Sequence, residues 1–117
     1  MLFRSVAAAA AALDVAVADP ARRRRPLALA RRFCRVLGEQ GLELPEPASH
    51  IVPLIVGDEA RAMTLMHGLI DDGFLVVAIR PPTVPVGTSR LRVGFCAVHA
   101  DADVDALAAA LRRRWQR

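Results

Sequence analysis

The sequence contains no lysine and no tyrosine, and only one tryptophan and four phenylalanines. Without a side-chain amine, no side chain of this chain can form a Schiff base, so lysine-based covalent catalysis is excluded. So few rings argue against an aromatic platform on which nucleic-acid bases would stack. Cysteine is scarce too. Cys34 and Cys96 lie far apart in apolar stretches, with no CxxC pair and no Cys/His cluster. That spacing argues against a metal site and predicts two reduced, buried thiols. No apolar run reaches the roughly 20 residues that span a bilayer. Gly-rich phosphate loops and G-x-S-x-G elbows are missing. His50, His67 and His99 stand apart from one another and read as surface or partly buried residues, not as catalysts or ligands.

What is present is 117 residues, 54% of them hydrophobic, with much of that fraction alanine. This is one domain's length, with enough apolar side chain for a core. All 16 basic residues are arginine, and the net charge is +4, which permits anionic partners without requiring them. Arg4, the alanine run and Ala16-Val17-Ala18 imitate a secretion signal with its cleavage site, but Asp14 interrupts the apolar stretch. A plain Ala-rich helix in a cytoplasmic protein is the better expectation.

Residues 5–18 are helical by propensity. Asp19-Pro20 starts a second helix running to about Gln40, with Leu27, Ala30, Phe33, Cys34 and Leu37 on one side. Pro26 predicts a kink or a restart, and Gly41 a stop. The Ile- and Val-rich run His50–Val56 reads as a strand, and Pro53 places it at an edge or a bulge. Asp58 caps a helix that buries Ala62, Leu65, Met66, Leu69 and Ile70 and ends at Gly73. Phe74–Ile79 reads as a buried strand. Residues 90–97 form an alternating one, with Leu91, Val93 and Phe95 on one face and Arg90 and Arg92 on the other. Asp101 and Asp103 open a last helix with Val104, Leu107, Leu111 and Trp115 as its buried stripe. The order α-α-β-α-β-β-α predicts an α+β, two-layer small domain: a short, mainly antiparallel three-stranded sheet with helices on one face. Residues 1–47 read as linking helices and 48–117 as the small domain itself.

Two features are candidates for function. The run Arg22–Arg25 is either a solvated helix start or a basic patch for nucleic acid; the first is favoured because no aromatics flank it. In AIRPPTVPVGTSRLRV (Ala78–Val93), prolines restrict the loop that carries Thr83. Arg80 ends one strand, while Arg90 and Arg92 share a face of the next. Guanidinium forks on a rigid sheet suit carboxylate binding, although arginines on an exposed face serve solubility equally well.

That segment, with SHIVPLIVGDEARAM (Ser49–Met63) and HADADVDALAAALR upstream and downstream of it, resembles the C-terminal part of the α-oxoamine synthases. These are pyridoxal-phosphate (PLP) enzymes of the fold-type I aminotransferase superfamily. The PPTVP core points to the branch serving biotin biosynthesis, and a glycine C-acetyltransferase-like member is the alternative. The resemblance implies a decarboxylative condensation of L-alanine with a pimeloyl thioester, carried on coenzyme A or acyl carrier protein, in a homodimer. It implies that Arg92 holds the amino-acid carboxylate, that Thr83 touches substrate and that Arg80 lies near the acyl chain. The PLP-binding lysine, the Asp partner of the ring nitrogen and the stacking His would belong to a large domain preceding this segment. No catalytic, cofactor-binding or metal-binding residue is therefore expected in this chain, and none of it should act alone or engage nucleic acid or membrane. Incubated with PLP, the chain should develop no lysine-type aldimine absorbance; its appearance would contradict the lysine-free chemistry.

Overall fold

The computed structural model describes residues 2–115. Helices α1 (Leu2–Ala18) and α2 (Pro20–Glu39) are followed by β1 (Ile51–Gly57), α3 (Glu59–Asp71), β2 (Val77–Ile79), β3 (Ser89–Gly94) and α4 (Asp101–Trp115). The three strands form an antiparallel sheet in the order β1-β3-β2. The α+β expectation holds: Leu54, Leu91 and Val93 on the sheet and Leu69, Leu111 and Phe33 on the helices share one buried cluster.

The helix ends follow local chemistry. The Asp19 side chain accepts from the Arg22 backbone N–H at 3.1 Å, and Pro20 fills the first turn, where no N–H is needed. Asp58 caps α3 through the Arg61 N–H at 2.8 Å. Gly41 and Gly73 take φ values of 89° and 94°. Leu42 N–H donates to Leu37 O at 2.9 Å and Phe74 N–H to Leu69 O at 2.8 Å. Both helices thus end in a left-handed glycine turn that satisfies free carbonyls.

Several expectations need correction. The helix runs through Pro26 without restarting, although that residue cannot donate to the Arg22 carbonyl. Strand β2 is confined to Val77–Ile79, because the preceding residues are used in turning out of α3; Leu75 is 85% and Val77 50% exposed. Ile70 is also exposed, at 43%, at the edge of the α3 stripe. Cys34 is buried as expected, but Cys96 is exposed, because it falls in the turn after β3 and not within the strand. Helix α1 lies off the core, with Val6, Leu13 and Val17 each more than 60% exposed.

Arginine–carboxylate forks tie the helices together. Arg32 of α2 grips Asp105 of α4 through Nε–Oδ1 at 2.8 Å and Nη2–Oδ2 at 2.7 Å. Arg114 of α4 grips Asp72 at 2.6 and 2.8 Å, crossing α3 at Gly68. The Arg22–Arg25 run is also used internally. Arg23 donates to the Ala16 and Val17 carbonyls at the end of α1, and Arg25 pairs with Asp101 at 2.8 Å.

The hydrogen bond from Arg32 holds the Asp105 carboxyl below its ordinary pKa, against a smaller opposing effect of desolvation. A carboxylate with a depressed folded-state pKa stabilises the fold above its unfolded pKa, and that contribution is lost as pH falls through the folded value. Asp105→Asn should therefore lower Tm at neutral pH, and the gap from wild type should close on acidification through and below the ordinary carboxylate range. A pH-independent gap would show that the pair acts by packing alone.

Candidate functional site

Strand β3 is central, so its side chains meet two environments. Leu91 and Val93 point into the helical layer and are buried, while Arg92 points out and is exposed. Across the sheet, Arg92 lies opposite Pro53 of β1 and Val77 of β2, and Arg90 opposite Ile55 and Ile79. No carboxylate occupies these neighbouring positions. Ile55 and Val77 are 53% and 50% exposed, so the outer face is an open apolar floor carrying cations.

The two arginines of this face differ. Arg90 is half-buried and its Nε donates to the Thr88 carbonyl at 3.1 Å, which commits it to the loop. The Arg92 side chain makes no hydrogen bond or ion pair among the described residues, so its five guanidinium donors are available to an outside acceptor. The two are two residues apart along β3, roughly 7 Å at the strand rise.

Arg80 follows the last residue of β2. Its Nη1 donates to Glu59 Oε1, at the start of α3, at 3.1 Å. Its backbone carbonyl accepts from Thr83 N–H at 3.1 Å, closing a turn that contains a cis Pro81–Pro82 bond. Thr83 is exposed at that turn. Thr88 closes the other limb, its hydroxyl donating to the Pro85 carbonyl at 2.6 Å. The fold therefore brings Arg80 and Thr83 together in one bend at an end of β2, and sets Arg92 further along the sheet on its outer face. Glu59 was not legible as part of this group: it lies 21 residues from Arg80 in sequence and reads as an ordinary first-turn acid.

One cleft lies elsewhere. It has a volume of about 410 Å³ and is lined by Phe74, Val93, Phe95, His99 and Leu107 among others. Arg92 and Thr83 stand on open surface instead, and a small molecule held there needs a wall from another polypeptide region. The chain's own residues do not fit a covalently held PLP, since none is lysine. Among the described residues no group of three or more His, Cys, Asp or Glu is placed to hold a metal, and no helix is long and apolar enough to cross a membrane.

Comparison with known proteins shows longer chains that share this sequence and fold. The chain is 56% identical over 92% of its length to the 8-amino-7-oxononanoate synthase of Maricaulis maris. It is 59% identical over 92% of its length to that of Methylobacterium sp. strain 4-46. It spans only about a quarter of those relatives, 26% and 27% of their lengths. Among solved structures, SPT described with a PLP internal aldimine matches with a TM-score of 0.74 at 28% identity, covering 81% of this chain and 24% of that one. The 8-amino-7-oxononanoate synthase of Francisella tularensis matches with a TM-score of 0.67 over 81% of this chain and 28% of that one; at 18% identity it shares the fold. The family model for aminotransferase class I and II fits residues 3–111, and the chain belongs to that family.

Proposed function

We propose that this chain is the C-terminal part of an 8-amino-7-oxononanoate synthase, the PLP-dependent enzyme that condenses L-alanine with a pimeloyl thioester in biotin biosynthesis. The observation that carries the reading is Arg92: a guanidinium on the central strand, facing outward, with no side-chain partner among the described residues and no carboxylate at the paired positions. An arginine so placed is suited to a bidentate grip on a small amino acid's carboxylate. Once another part of the enzyme covers this face, the apolar floor of Ile55 and Val77 excludes water and strengthens that grip. Holding the carboxylate on a rigid strand fixes the amino acid's orientation before reaction.

In this reading Thr83 offers a hydroxyl to substrate from the proline-bound bend, and Arg80 lies toward the acyl chain. The remaining portion of the enzyme supplies the PLP lysine, the electron-sink chemistry and the opposing wall of the site. Helix α1, with its exposed apolar side chains, belongs with residues 1–47 as the link to that portion. The complete enzyme is a cytoplasmic homodimer taking pimeloyl-CoA or pimeloyl-acyl carrier protein. The internal use of Arg22, Arg23 and Arg25 leaves the nucleic-acid alternative without support.

The test is a graft of this chain in place of the matching segment of the Maricaulis maris enzyme. The wild-type graft should turn over L-alanine and pimeloyl thioester. Arg92→Ala should lower kcat/KM for alanine by about 10- to 100-fold, the loss of a charge-assisted hydrogen-bonded contact. Arg92→Lys should recover only part of it, since an ammonium cannot form the fork. An inactive wild-type graft, or an Arg92→Ala graft with unchanged alanine kinetics, would overturn the reading.

A further inference from the structure

We propose that Glu59 is a positioning residue for the acyl-substrate side of the site, holding the Arg80 guanidinium in place from the first turn of α3. The inference rests on the assignment of Arg80 to that side. Its starting observation is that the ion pair Arg80 Nη1–Glu59 Oε1, at 3.1 Å, joins the bend carrying Thr83 to a different element of the fold.

Neighbouring groups are otherwise engaged. The Asp58 carboxylate is used as the α3 cap, accepting from Arg61 N–H at 2.8 Å. The Arg61 guanidinium donates to the Trp115 carbonyl at 2.6 Å and lies over the Trp115 ring at 5.0 Å. Arg90 is held by the Thr88 carbonyl at 3.1 Å. Glu59 and Arg80 are thus left to each other. The junction that carries Glu59 also meets the far limb of the same loop, since a Cβ at Gly57 would sit 3.5 Å from the Gly87 carbonyl oxygen. The α3 start is therefore tied to the near limb of the loop by charge at Arg80, and the far limb runs beside the strand end that leads into it. Arg80 in turn receives the Thr83 N–H on its own carbonyl, so restraining its side chain restrains the bend.

Both partners are about half exposed, at 47% and 52%. Exposed pairs contribute little to global stability, so the effect of Glu59 should fall on the geometry of substrate contact more than on folding. In the Maricaulis maris graft, Glu59→Gln keeps the side chain's size and removes its charge. The acyl-thioester KM should rise about two- to fivefold, the range a pair of this exposure supports, with kcat, alanine KM and Tm nearly unchanged. Glu59→Asp, which keeps the charge with a shorter reach, should fall between. In an Arg80→Ala background, Glu59→Gln should add nothing, because the two act as one unit. If Arg80→Ala raises the acyl KM while Glu59→Gln leaves it unmoved, or if Glu59→Gln shifts both KM values and Tm together, the role of Glu59 is refuted and that of Arg80 stands. If Arg80→Ala itself leaves the acyl KM unchanged, the assignment of Arg80 fails and takes the inference with it.

Discussion

The strict two-residue alternation of β3 is the constraint on which the rest of the molecule depends. A strand central to a sheet with helices on one side must send alternate side chains into an apolar layer and into the open. Leu91 and Val93 meet the first demand and Arg92 the second. A shift of one residue in register would bury Arg92 among Leu54, Leu69 and Leu111 and expose the leucine and valine. Unpaired, a buried guanidinium is far costlier than any exposed apolar side chain. The same energetic preference that sets the register therefore aims the cation outward.

The helical layer is held to the sheet by apolar burial, but its internal alignment is set by arginine forks. Arg32–Asp105 links α2 to α4, and Arg114–Asp72 links α4 to α3. Planar guanidinium and planar carboxylate meet in one geometry, which a lysine point charge does not impose. A lysine-free composition thus has a structural side. Leu29, Phe33, Leu37, Leu69, Leu107 and Leu111 supply the apolar contact between these helices, and bidentate pairs at the edges add direction to a non-directional burial. Gly68 is part of this arrangement, since a Cβ there would lie 2.5 Å from Arg114 Nη1.

Much of this was legible in the chain. Periodicity placed the last three helices and the alternating strand, because 3.6- and 2-residue repeats of apolar side chains are direct consequences of burial on one face. Helix propensity placed the first helix, and Ile- and Val-rich composition the other two strands. Asp19-Pro20, Asp58, Gly41 and Gly73 marked the helix ends for stereochemical reasons that do not depend on tertiary context. Other features depended on context. Phe74–Ile79 has the composition of a strand, but its first residues are used in leaving α3. Cys96 lies in an apolar stretch, yet sits just past the last rung of β3. Arg22–Arg25 gave no sign of its partners, because Asp101 and the end of α1 are brought to it only by folding. The arginine face of the site was readable from alternation, whereas the Glu59 contact was not, being a meeting of two ends of separate elements.

The unequal placement of the two sulfurs has a practical side. Cys34 is buried and desolvation pushes its thiol pKa up, so it holds little thiolate and is shielded from reagents. Cys96 sits in the open, beside the His99 ring at 3.6 Å, in the turn between β3 and α4. A maleimide fluorophore or spin label would attach at one defined point without any engineered substitution. Attached there, a reporter follows the surroundings of the β3–α4 connection from the native sequence itself.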